Sequence, residues 1–136
     1  MDEVFAQVPK LGAMHVVLDL LDCEKEKLIG WKKWYADIKR IIVSSGMTIA
    51  THHSTGAQCE LGHDYPGDGS GYTYTAYVLE SHVIVHTTPE SNLVNVCVFF
   101  CNFREDNVAK AIAVAVGLAD LFGSKNIVET RVRRYS

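Results

Sequence analysis

The run "LESHVIVHTTPE", residues 79–90, brings an acid, a hydroxyl and two imidazoles together as Glu80, Ser81, His82 and His86. That grouping permits one unusual reaction. A serine hydroxyl can attack the carbonyl of the residue before it, exchanging the amide for an ester. Loss of the serine α-proton then expels the Glu80 carboxylate and cuts the chain. The dehydroalanine left behind hydrolyses to a pyruvoyl group at a new N-terminus. The sequence needs a nearby proton-transfer group, and an imidazole with an unperturbed pKa of about 6.5 suits it. His86, five residues beyond Ser81, could serve. The bland alternatives are a serine that merely starts a strand and a histidine satisfied in a core.

The flanking elements must hold these groups. Residues 14–21, "MHVVLDLL", have strand composition. Leu28, Trp31, Tyr35, Ile38 and Ile42 then recur at helical steps, and Gly46 fits a stop. "MTIAT" from Met47 reads as a strand, and residues 54–71, rich in Gly, Ser, Asp and Pro, read as one long loop. Strands are expected at 72–79, 82–87 and 93–101, with a turn over 89–92. Asp106 can cap a second helix that Gly123 ends, and 126–134 closes with a strand. The order β-α-β-β-β-β-α-β predicts a single domain over 1–136. Its class is α+β: a two-layer sandwich with a mainly antiparallel sheet and both helices on one face. Strand parity puts Leu93, Asn95, Cys97, Phe99 and Cys101 on one side, and His82, Ile84 and His86 on one side. Ser81 falls on the opposite parity from His86, so their meeting requires a turn or bulge at Ser81.

Composition narrows the function classes. Apolar residues make up 48% and charged residues 21%, an ordinary globular balance. A net charge of -3 and a pI near 6.0 give no reason to expect nucleic acid. Arg131, Arg133 and Arg134 read as a solvated strand end. No signal peptide or membrane-length apolar run is visible, so a cytoplasmic chain without a membrane partner is expected. Cys23, Cys59, Cys97 and Cys101 should then stay reduced, and none forms a CxxC pair.

"ESHVIVHTTPE" resembles the processing-site motif of the small, prokaryotic-type S-adenosylmethionine decarboxylase proenzymes: Glu-Ser-His, a short apolar run, His-Thr, then Pro-Glu. "MHVVLDLLDC" resembles the family's first strand, "SSGMTIAT" the segment after its first helix, and Ser70-Gly71 the Ser-Gly before the processing strand. Cys101 falls where the family keeps a catalytic cysteine. The resemblance spans roughly residues 13–132. It implies the family's fold and self-cleavage between Glu80 and Ser81 into chains 1–80 and 81–136. Ser81 would become a pyruvoyl cofactor, which condenses with a substrate amine and withdraws the electrons left when CO₂ departs. His86 would assist cleavage, and Ser70 would hold or protonate groups near the cleaved bond. Cys101 would return a proton to the substrate carbon, and Glu90 would bind the substrate. A small cationic amino-acid substrate, S-adenosylmethionine in the service of spermidine synthesis, and a homodimer with active sites near its interface are implied; no metal is.

Departures gather around the substrate pocket. "HHSTGA" replaces an aromatic-bearing segment, and the interval between Ser70-Gly71 and Glu80-Ser81 is about three residues longer than usual. Cys97 and Asn102 stand where the family keeps Asp and Gly. Arginine or ornithine is therefore an alternative substrate, with Tyr65, Tyr72, Tyr74 or Tyr77 able to supply a ring for a cation. From other classes, His52, His53, Cys59, His63 and Asp64 could bind a metal such as zinc, or the chain could be an inactive partner subunit.

Overall fold

A computed structural model describes residues 13–50, 60–79, 81–102 and 106–134. Six strands and two helices follow in the expected order: β1 (Ala13–Leu21), α1 (Trp31–Ser44), β2 (Glu60–Asp64), β3 (Tyr72–Val78), β4 (Ser81–Thr88), β5 (Leu93–Cys101), α2 (Val108–Phe122) and β6 (Asn126–Arg134). Every pairing is antiparallel, in the order β2-β3-β4-β5-β1-β6. Both helices cover one face, giving the two-layer α+β sandwich. Among the described residues, no helix is long and apolar enough to cross a membrane.

Alternation fixes the register. Val16, Leu18, Leu20, Val83, Val85, Val94, Val96, Val98 and Phe100 are buried under Ile38 and Ile42 of α1 and Val114, Leu118 and Phe122 of α2. Burying one such side chain is worth roughly 1.5–3 kcal/mol. A one-residue slip would turn a whole strand's set away from the helices, so the alternative registers are strongly disfavoured. The Cys23 thiol joins this core, and burial pushes its pKa up.

Two expectations are corrected. The second strand is Glu60–Asp64, within the segment read as a loop, whereas the stretch from Met47 makes only an isolated bridge, Ile49 to Val78. The outer edge of β3 is shared between them: β2 pairs with Tyr72–Ala76, while Ala50 N–H donates to the Tyr77 carbonyl at 2.8 Å. Gly62 looked like a loop residue, yet it serves a close approach. A Cβ there would fall 2.0 Å from the Trp31 ring of α1. The Glu60 carboxylate secures the strand, accepting from Tyr74 Oη at 2.6 Å and Lys39 Nζ at 2.9 Å.

Helix boundaries follow local chemistry. Leu28 sits in a separate 3-10 turn before α1, and the Trp31 N–H donates to Asp64 Oδ1 at 3.0 Å. The Val108 N–H at the start of α2 donates to Asp106 Oδ1, and Gly123 stops it at φ 63°. The sheet face away from the helices carries His15, Val17, Asp19, Thr73, Thr75, Tyr77, His82, Ile84, His86, Asn95, Cys97 and Phe99. Among the described residues, no element covers it.

Candidate active site

Cross-strand pairing builds the site. Val78 faces Ser81, and the β3–β4 ladder runs unbroken to the Thr73–His86 pair. β4 is equally regular against β5, from His82 opposite Phe99 to Thr88 opposite Leu93. The bulge needed to join Ser81 to His86 is therefore absent. Ser81 points to the helix side and is 9% exposed, while His86 points to the open side. Five residues of strand, about 16 Å at roughly 3.3 Å each, lie between them. Glu80 lies outside the described residues.

At the Ser81 end, Ser81 Oγ accepts a hydrogen bond from the Cys101 N–H at 2.9 Å. Cys101 is the last residue of β5, opposite Ala13, with its side chain on the open face. Beside it three rings form a row. His82 stacks on Phe99 at 5.2 Å and 9°, and His15 meets the other side of Phe99 edge-on at 5.9 Å. Burial lowers the pKa of His82, assisted by the charge of His15; burial and then Arg134 lower that of His15. His15 Nε2 is buried without a hydrogen-bond partner. Both imidazoles thus favour the neutral form.

At the other end, His86 Nδ1 lies 2.9 Å from Tyr65 Oη and 3.0 Å from Thr73 Oγ1, and those two hydroxyls bond to each other. The Tyr65 ring meets the His86 ring at 62°. Asn95, the β5 partner of His86, donates to Asp19 Oδ1 at 2.7 Å.

Ser70 and Glu90 also belong to this end. Ser70 Oγ donates to the Pro66 carbonyl at 2.9 Å, just before β3 begins. Glu90 is exposed in the 3-10 turn Pro89–Ser91, just after β4. Ser70 is thus separated from Ser81 by the length of β3 within the chain. Three residues further along the chain, Thr73 is the hydroxyl that meets His86. Sequence reasoning missed Thr73, although the β3–β4 register alone identifies it: the Val78–Ser81 pair, counted back five rungs, gives Thr73–His86.

The four tyrosines offered as substrate rings divide. Tyr72 and Tyr74 are fully buried on the helix side, where burial raises both pKa values. Tyr65 is tied to His86, and Tyr77 stands 49% exposed on the open face opposite His82. For the metal reading, His52, His53 and Cys59 lie outside the described residues. His63 packs edge-on against Tyr65, whereas Asp64 serves the start of α1 on the other face. Among the described residues, no group of three or more His, Cys, Asp or Glu could hold a metal ion. The Cys97 thiol has its pKa raised by burial and then by Asp19.

The two-layer architecture is that of a known decarboxylase class. The structure matches the crystal structure of the adenosylmethionine decarboxylase from Aquifex aeolicus VF5 with a TM-score of 0.74, over 94% of each chain at 19% identity, a likeness of fold. The family model for S-adenosylmethionine decarboxylase matches residues 14–135. An S-adenosylmethionine decarboxylase proenzyme of Sulfurisphaera tokodaii is 30% identical over 98 residues, 72% of this chain and 71% of that one. The chain belongs to the S-adenosylmethionine decarboxylase family.

Proposed function

We propose that this chain is a pyruvoyl-dependent proenzyme that cuts its own Glu80–Ser81 bond and then decarboxylates S-adenosylmethionine, the reaction that supplies aminopropyl groups for spermidine. The carrying observation is the Ser81 hydroxyl, buried at the start of β4 and held by the Cys101 N–H at 2.9 Å. That donor fixes the position of Oγ and could serve a carbonyl oxygen at residue 81 equally well. The residues present therefore fit a pyruvoyl group, which supplies an electron-withdrawing carbonyl for a substrate amine.

The chain's own groups do the rest. Ser81 Oγ adds to the Glu80 carbonyl carbon, the C–N bond breaks, and an ester forms. A base removes the Ser81 α-proton, the Glu80 carboxylate leaves, and water releases ammonia from the dehydroalanine. Nδ1 of His86 is occupied by the Tyr65 and Thr73 hydroxyls, so Nε2 is its proton-transferring nitrogen. The Cys101 thiol delivers a proton to the substrate carbon after CO₂ leaves. Glu90 binds the cationic substrate, at the same end of the fold as Ser70.

His86 cannot reach Ser81 within one subunit, which favours a homodimer. Two open faces laid together with their strands running in opposite directions would bring the partner's His86 and Thr73 over Cys101 and the strand end that carries Ser81. Each active site would then draw on both copies. Intact-mass analysis should find fragments 1–80 and 81–136, the latter without a free amine. Labelled CO₂ should be released from S-adenosylmethionine and not from arginine or ornithine. An uncut chain inert towards all three substrates would overturn the reading.

A further inference from the structure

β6 is the outermost strand of the sheet, nine residues long, with only β1 beside it among the described residues. Ile127, Val128 and Val132 on it are 48%, 49% and 37% exposed. A long edge with apolar side chains and a row of backbone donors and acceptors is a template for another strand. We propose that its partner is β6 of a second copy of this chain, paired antiparallel about a two-fold axis at Thr130 to join two sheets edge to edge.

The strand is self-complementary about that residue. With Thr130 opposite Thr130, Glu129 faces Arg131 twice, Val128 faces Val132 twice, and Ile127 faces Arg133 twice. Glu129 and Arg131 already share the helix side of the strand, where Arg131 Nε donates to Glu129 Oε1 at 2.6 Å. Pairing would close them into a ring of four alternating charges. Val128, Thr130 and Val132 lie on the other side, opposite Asp19, Val17 and His15 of β1, and would form a continuous apolar and hydroxyl row.

Competing registers fail. A two-fold axis normal to the sheet keeps each face on its own side, so only residues of equal parity can oppose each other. Centring on Glu129 sets Glu129 against itself. Centring on Arg131 sets Arg131 against itself, and centring on Val132 sets Arg131 against Arg133. Like charges directly opposite destabilise a strand pair, whereas opposite charges stabilise it. Centring on Val128 leaves Glu129 facing Ile127. The Thr130 register is the one that sets Glu129 opposite Arg131 with no like charges opposed.

A groove lined by Val116 and Ile112 of α2 and by Ile127 runs alongside this strand, and Val116 is 56% exposed. An added strand would extend the sheet beside it. This contact uses an edge, not the open face, and stands whether or not the chain is a decarboxylase.

Opposed Cα atoms in an antiparallel pair are about 4.5–5.5 Å apart, within disulfide reach. Thr130→Cys should therefore form disulfide-linked pairs on mild oxidation. Val128→Cys, which would face Val132, should resemble the unmodified chain. In sedimentation, Arg131→Glu should weaken self-association by roughly tenfold or more. The double variant Glu129→Arg/Arg131→Glu should restore it, since the charges again alternate. Absence of the Thr130→Cys crosslink in a folded protein, or a swap no better than the single reversal, overturns the pairing.

Discussion

The two ends of the open face differ in kind. At the Ser81–Cys101 end, the serine hydroxyl is held by a backbone N–H, and the imidazoles beside it pack against a phenyl ring. At the His86 end, the imidazole is held by two side-chain hydroxyls and its other nitrogen remains for chemistry. On the proposed function, one end holds the group to be transformed and the other a proton carrier. A regular strand keeps them apart, because an antiparallel ladder fixes both spacing and facing. The lesson is that residues close in sequence can be held on opposite faces and at opposite ends of one sheet.

Breaking the first end has the largest effect. Ser81→Ala should abolish cleavage and turnover, leaving a single uncut mass. His86→Ala should slow cleavage about 10²-fold or more, the usual weight of a proton-transfer group. The division between the ends is tested by mixing. Co-refolded with Ser81→Ala, the His86→Ala chain should be cut at the wild-type rate in hybrid dimers, because its partner supplies the imidazole. No rescue would mean that both groups act within one subunit. Cys101→Ala should be processed normally, since alanine keeps the N–H that holds Ser81, while kcat falls about 10²-fold.

The smallest effect concerns the neutral rings. His15 and His82 have folded pKa values below the unfolded value near 6.5. The unfolded chain therefore binds more protons as the pH falls, and stability rises with pH across this window. Their contribution is complete above about pH 6.5 and declines on acidification through the folded values. Thermal melts from pH 7.5 to 5 should show a falling Tm, and His82→Gln should flatten that fall.

Much of this was legible beforehand. The elements other than β2, the glycine stops after both helices, and the facing of His82 with His86 and of Cys97 with Phe99 follow from periodicity and turn chemistry. β2 was not legible, because Glu60, Gly62 and Asp64 read as loop formers. Their roles depend on Lys39, Tyr74 and Trp31, which only the folded chain brings near. The position of Ser70 was not legible, because a motif match carries no measure of where three added residues shift it. Tyr65 and Thr73 gained their place from strand pairing, which no single-strand pattern states.

Strand order has a last consequence. Residues 1–80 contribute β1, β2 and β3; residues 81–136 contribute β4, β5 and β6. β1 is threaded between β5 and β6, so a cut at 80–81 would leave two pieces interleaved like shuffled cards. Severed, the halves could part only by dismantling the core. They should travel together through any native separation and come apart only in denaturant.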